Sequence, residues 1–272
     1  MGKIITFTNQ KGGVGKTTTA VNVSAYLAAM GKKVLLVDID PQGNATTGLG
    51  VEKKSLKKSL YDCLINECAP EDAIVRTTVP GLFMLPTNID LVGAEVDLVR
   101  MKDREKVLRG ILSRLRNTYD YITIDCPPSL GLLTINALTA CDTACVPIQG
   151  EFFALEGLSQ LMNTINLIRK HLNPGLQIEG VALTMYDARS NLAQKVAEEI
   201  HRFFGKKVFT TKIPRSIRLS EAPSYGLSIM QFDPRSTGAL AYKALTVELL
   251  NRNHDVYTPI VRDSALRYRP KA

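Results

Sequence analysis

The chain has 272 residues, 45% of them hydrophobic, with a formal net charge of +8, which is length and apolar content enough for a full buried core. No run of about 18 uninterrupted apolar residues occurs, which excludes a transmembrane helix. The five cysteines, Cys63, Cys68, Cys126, Cys141 and Cys145, are odd in number and lack C-x-x-C spacing, which argues against a disulfide framework or a zinc site and for reduced thiols packed as small hydrophobes.

The first element is Lys3-Ile4-Ile5-Thr6-Phe7-Thr8, a short apolar run rich in β-branched residues that predicts a buried strand. It begins at once, leaving no room for a signal peptide, so a cytosolic protein is expected. There follows Gln10-Lys11-Gly12-Gly13-Val14-Gly15-Lys16-Thr17-Thr18, and then an Ala-, Val- and Leu-rich segment, Thr17 to Met30, that stops at Gly31 and predicts a helix. A glycine-rich turn between strand and helix places backbone N–H groups and the positive end of the helix dipole where an anion binds. The usual phosphate loop reads G-x-x-x-x-G-K-[ST]. Here Gly15-Lys16-Thr17 fits, Gln10 stands at the first glycine position, and a second cation, Lys11, joins the loop. Two ammonium groups suit a polyphosphate; a turn that merely connects strand to helix would need neither.

Further strands are predicted at Lys33–Asp38, Leu82–Pro86, Tyr121–Asp125, Thr143–Ile148, Ile178–Thr184 and Lys207–Thr210, and helices at Leu91–Leu115, Leu132–Ala140, Ala154–His171, Leu192–Phe204 and Thr237–Leu250. This alternation predicts one α/β domain of the P-loop NTPase kind over residues 1–250, a mostly parallel twisted sheet with helices on both faces. Residues 251–272, polar and with two prolines, are read as a loosely attached basic tail.

Parallel sheets deliver ligands to the carboxyl ends of their strands. The second strand ends in Asp38-Ile39-Asp40-Pro41-Gln42 and the Tyr121 strand ends in Asp125-Cys126-Pro127-Pro128. A single strand-end Asp is often only a turn former, but three that converge on one phosphate loop point to Mg²⁺-dependent phosphoryl chemistry, with Thr17 as a direct metal ligand and Asp38 and Asp125 as direct or outer ligands.

Residues 1–159 carry 17 Lys and Arg against 17 Asp and Glu, whereas residues 160–272 carry 17 against 9. The basic surplus is all in the second half. Such a face is the electrostatic footprint of a polyanion, although it also serves solubility. Aromatics are few and not interleaved with the cations, which favours duplex phosphate contacts over stacking on single strands.

The KGGVGKTT form resembles the deviant Walker A signature of the ParA/MinD family, and residues 1–250 resemble its chromosomal partition ATPases. The resemblance implies an ATPase that binds ATP/ADP and Mg²⁺ through Lys11, Gly12, Gly13, Val14, Gly15, Lys16, Thr17 and Thr18. It implies that Lys11 reaches the nucleotide of a facing subunit in an ATP-bridged homodimer, that Lys16 holds its own, and that Asp40 positions the attacking water. The Ile213-Pro214-Arg215 segment, within an I-P-R-x-x-x-x-x-E-A-P pattern, would border the adenine, and Met185 would pack on the base or belong to the core. Arg189 and Arg218 match positions that bind DNA non-specifically in relatives, with Lys206, Lys207 and Lys212 as auxiliary cations. A ParB-type partner that stimulates slow hydrolysis, and a cytoplasmic, nucleoid-associated location, complete the expectation.

The alternative within the family is a MinD-like membrane switch. The stretch Tyr257 to Pro270 is basic but has too few apolar anchors at helical spacing for that role, so no membrane partner is expected. Paired cluster cysteines, as in the nitrogenase iron protein, are likewise not reproduced around Cys126 and Cys141. A long plasmid-type protein would carry a helix-turn-helix before the phosphate loop, and here the loop lies within a dozen residues of Met1; shorter plasmid-borne forms remain open.

Overall fold

The computed structural model of the chain describes residues 1–151 and 154–258. Seven strands form one sheet: β1 Lys3–Phe7, β2 Val34–Asp38, β3 Val75–Arg76, β4 Leu82–Leu85, β5 Tyr121–Asp125, β6 Thr143–Gln149 and β7 Gln177–Thr184. Their spatial order is β3-β4-β2-β5-β1-β6-β7. All neighbours are parallel except the edge pair β3 and β4.

The strands read as continuous apolar runs because both faces are covered, yet their side chains still alternate. On one face Ile4, Leu35, Val37, Ile122 and Ile124 meet helices Leu91–Val99, Val107–Leu115, Leu132–Ala140, Ala154–His171 and Asn191–Phe204. On the other, Ile5, Phe7, Val34, Leu36 and Tyr121 meet helices Lys16–Ala29 and Thr237–Arg252. The expected α/β architecture with helices on both faces is therefore the observed one.

Three local expectations differ. The single helix Leu91–Leu115 is two helices, Leu91–Val99 and Val107–Leu115, joined through a 3₁₀ turn at Arg104–Lys106. Asp103 takes a left-handed backbone (φ 52°) and turns the chain between them, which an unbroken α-helix does not allow. The strand expected at Lys207–Thr210 is a 3₁₀ turn, Gly205–Lys207, followed by one bridge from Val208 to Val181; Gly205 ends the preceding helix with positive φ and leaves too little extended chain for a ladder. The edge strand β3 was not anticipated, because two residues carry no periodicity.

The segment read as a loose tail is docked as far as Thr258. Helix Thr237–Arg252 runs into it, Asp255 pairs with Lys32 at 2.6 Å and accepts the Tyr121 hydroxyl at 2.8 Å, and the Thr258 N–H donates to the Met30 carbonyl. Residues 259–272 lie outside the described residues.

Candidate nucleotide and phosphoryl-transfer site

β2, β5 and β1 lie side by side, and their register places Asp38 opposite Asp125 and Asp125 opposite Phe7. The carboxyl ends of the central strands thus converge on the loop after β1. That loop turns through Gly13 (φ 74°) and Gly15 (φ 82°), conformations that a side chain would strain. Val14 is buried and its carbonyl accepts the Thr184 hydroxyl at 2.8 Å, which pins the loop to β7. Helix Lys16–Ala29 starts with no side-chain cap and no acid in its first turn, so its leading N–H groups remain available to an anion.

The two lysines of the loop are treated differently. Lys16 is buried and donates to the Lys11 carbonyl at 2.9 Å. Burial pulls its ammonium below the ordinary range, while the charges of Asp125, Cys126 and Asp40 act the other way. The Lys11 backbone N–H is held by the Asn9 side chain at 3.0 Å, and its ammonium leaves the loop to form an ion pair with Glu151, beyond the end of β6.

The three acids are equally distinct. Asp38 is fully buried, with one oxygen accepting from both the backbone N–H and the hydroxyl of Thr46 (2.8 and 2.7 Å) and the other from the Asp40 N–H at 3.3 Å. Burial pushes its carboxyl up to about 6 against those hydrogen bonds. Asp125 is also fully buried, but neither oxygen has a hydrogen-bond partner. Burial and then the Asp38 charge hold it well above the carboxylate range, with the Thr17 hydroxyl, which approaches without completing a regular hydrogen bond, and the Lys16 charge pulling down. An orphaned buried carboxylate costs several kcal/mol, and a hard divalent cation removes that cost. Among the described residues no group of three or more His, Cys, Asp or Glu could hold a metal alone. The donors fit Mg²⁺, which is bound through one or two protein oxygens together with substrate phosphates. Asp40 is 5% exposed and accepts the Gln42 N–H at 3.0 Å.

A cleft of about 700 Å³ opens over these residues. Its walls include Gly12, Gly13, Gly15, Lys16, Thr17, Thr18, Asp40, Met185, Pro214 and Arg215. Lys11, Val14, Asp38 and Asp125 lie behind or beside the lining rather than on it. Met185 comes to the cleft with a left-handed backbone (φ 47°), uncommon for a residue other than glycine. It is held there by the following residue, since the Tyr186 N–H donates to the Ile213 carbonyl and Tyr186 bridges Pro214. Segments nearly thirty residues apart in sequence therefore form one wall. Asn22, Asn44 and Thr47 also line the cleft and were missed. Asn44 and Thr47 belong to the short helix Asn44–Gly48, whose five residues show no apolar period; the Gly43-Asn44 turn was its only signal.

The two arginines lie apart from the cleft lining. Arg189 is 91% exposed and pairs through two nitrogens with Asp187 at 3.0 Å, holding that carboxyl down at about 2. Arg218 pairs with Glu221 at 3.0 Å and Asp233 at 3.4 Å. Lys206 and Lys207 are exposed on the Gly205 turn, and the Lys212 ammonium sits over the Tyr186 ring at 4.2 Å.

Comparison with known proteins bears on the fold and on the class of ligand. A profile of the AAA domain family matches residues 2–178. The chain is 58% identical over 249 residues to the sporulation initiation inhibitor protein Soj of Bacillus subtilis (strain 168), covering 92% of this chain and 98% of that one. It is 49% identical over 255 residues to the chromosome partitioning protein ParA of Caulobacter vibrioides, covering 93% and 96%. Among solved structures, cobyrinic acid a,c-diamide synthase from Mycobacterium smegmatis with bound ATP analog and magnesium superposes with a TM-score of 0.83 at 37% identity, over 93% of this chain and 96% of that one. The protein is an ATPase whose cofactors are ATP/ADP and Mg²⁺. With the KGGVGKTT loop, the paired strand-end acids and these relatives together, the chain belongs to the ParA/MinD family of deviant Walker A ATPases.

Proposed function

We propose that this protein is a cytoplasmic chromosome-partitioning ATPase that dimerises around ATP, binds duplex DNA without sequence preference as the dimer, and lets go when it hydrolyses the nucleotide. The observation that carries the reading is the loop with two lysines in different roles: Lys16 is turned inward beneath the phosphate site, while the Lys11 side chain points away from it. A lysine that does not serve its own subunit's phosphates can be recruited to serve a neighbour's. Relatives named as chromosome partitioning proteins and matched over nearly the full length support the same role.

Within one subunit, the N–H groups of Gly12 to Thr18 bind the phosphates and Lys16 neutralises them at close range. Mg²⁺, when bound, offsets the charge that develops on the transferred phosphoryl group. Thr17 and Asp125 would hold it, whereas Asp38, with both oxygens already occupied, holds Thr46 and orders the strand end. Asp40 orients the attacking water. Met185, Pro214 and Arg215 receive the base. Phosphoryl transfer depends on positioning, so an Asp40 not yet aligned gives slow basal turnover, and a ParB-type partner that aligns it raises the rate.

DNA binding follows from multiplicity. One subunit offers few phosphate contacts, and an ATP-bridged pair aligns two basic faces, Arg189 and Arg218 on each, so weak contacts combine through effective concentration. In this reading the ATP-bound form is the one that associates with the nucleoid. The test is DNA co-sedimentation in ADP and in ATP, for wild type and Lys11→Ala. DNA should pellet the wild type with ATP only, and Lys11→Ala in neither condition. Equal DNA binding by Lys11→Ala with ATP would refute the link between this lysine and DNA affinity.

A further inference from the structure

The Lys11 ammonium is not free in the single subunit: its ion-pair partner is Glu151 of the same chain. Resting on the dimer reading above, we infer that Glu151 is a positioning residue that holds Lys11 in its own subunit until an ATP-bound partner competes for it.

Three features of the fold build this contact. β6 lies directly beside β1, so the residues just past its end sit next to the loop that follows β1. Gly150 is packed so closely against the next helix layer that a Cβ there would lie 3.2 Å from the Cα of Ala193, and the Glu151 N–H turns back to donate to the Gln149 carbonyl at 2.8 Å. The Lys11 backbone is fixed in turn by Asn9, whose amide also donates to the Pro147 carbonyl of β6 at 2.8 Å. Both ends of the ion pair are thus tied to the same strand.

The contact has the strength a reversible restraint needs. Its side chains are 37% and 45% exposed, and an exposed pair changes an equilibrium by a factor of roughly 1.4 to 5. A triphosphate in a partner's site presents several negative charges in a drier setting and outcompetes one carboxylate; a diphosphate, lacking the terminal group, competes less well. Glu151 therefore biases the protein toward separate subunits without preventing assembly. Because two such pairs open for each dimer formed, their removal should tighten dimerisation by about 2- to 30-fold.

The test compares wild type with Glu151→Gln. Dimerisation is measured by analytical ultracentrifugation across protein concentrations, with ADP or with ATP in an Asp40→Ala background that slows hydrolysis. Acylation of lysine amines in the nucleotide-free protein, read residue by residue by mass spectrometry, reports on the ion pair independently of any dimer. Glu151→Gln should dimerise about 2- to 30-fold more tightly with ATP, leave nucleotide affinity of the single subunit unchanged, and acylate Lys11 several-fold faster. If wild type dimerises with ATP and Glu151→Gln dimerises equally or more weakly, Glu151 does not restrain Lys11, and the dimer reading stands without it. Unchanged acylation of Lys11 overturns the ion pair itself. If neither protein dimerises with ATP, the dimer reading fails and the restraint falls with it.

Discussion

Asp38 and Asp125 face each other as register partners at the carboxyl ends of adjacent parallel strands, both fully buried, yet one is satisfied on both oxygens and the other on neither. Two carboxyl groups in one dry layer raise each other's cost of ionisation. The asymmetry separates their proposed roles: Asp38 orders the strand end through Thr46, and Asp125, without such a partner behind the cleft wall, is the acid proposed to face a cation.

Replacing Asp125 with Asn removes a buried acid whose ionisation is opposed by burial and by Asp38. The metal-free protein should melt about 2–8 °C higher, for a gain of about 1–2 kcal/mol, while ATP turnover falls at least ~100-fold. Thermal denaturation in EDTA and a phosphate-release assay measure the two. A lower melting temperature would mean that Asp125 is not an electrostatic burden in the free protein.

Asp40 lines the cleft, and the role proposed for it lies in hydrolysis and not in holding the nucleotide. Asp40→Ala is expected to keep ATP affinity within about threefold and to lose roughly 100-fold or more in turnover. Equilibrium binding of a fluorescent ATP analogue beside single-turnover hydrolysis separates these effects. Wild-type turnover would remove Asp40 from the reaction.

Acid stability should depend on Glu179, which is 6% exposed, pairs with Lys3 at 2.5 Å, and accepts the Thr143 hydroxyl at 2.6 Å and the Asn253 amide at 2.8 Å. Burial pushes its carboxyl up, but Lys3, Thr143 and Asn253 together outweigh burial and bring it below its ordinary 4.5. With the folded value depressed, the unfolded chain binds more protons near that pH. The contribution is therefore fully present above about 4.5 and is lost as pH falls through the folded value. Glu179→Gln should destabilise the protein by about 1–3 kcal/mol at pH 7, and its urea midpoint should converge on wild type toward pH 3. Parallel pH profiles would rule out the linkage.

Arg189→Glu with Arg218→Glu should abolish ATP-dependent DNA binding and leave ATP affinity unchanged. Single replacements should weaken binding similarly on every sequence and reduce the salt dependence by about one phosphate contact per arginine in each subunit. Both arginines are paired with carboxylates in the free protein, so part of the phosphate attraction is offset by breaking those pairs. Asp187→Asn should therefore strengthen DNA binding a few-fold, a change that fluorescence anisotropy on a labelled duplex would detect.

Much of the site could be read from local pattern. The glycines and lysines of residues 10–18 and the acids that close β2 and β5 are short-range signals, because strand ends and phosphate loops are made by neighbours in sequence. The parallel sheet followed from alternation of apolar runs and helical segments. What failed was equally local in cause: the break at Asp103 depends on one left-handed residue, and the expected last strand reduces to a single bridge at Val208.

The amino-acid sequence by itself determined that a phosphate loop with two lysines meets three strand-end acids. Only the tertiary structure decided what each of them faces. Whether Asp125 is left without partners while Asp38 is satisfied, whether Met185 and Pro214 share a wall, and whether Lys11 pairs with Glu151 all depend on strand order and register. Those are set by burial summed over the whole sheet, and no local window of sequence contains that sum.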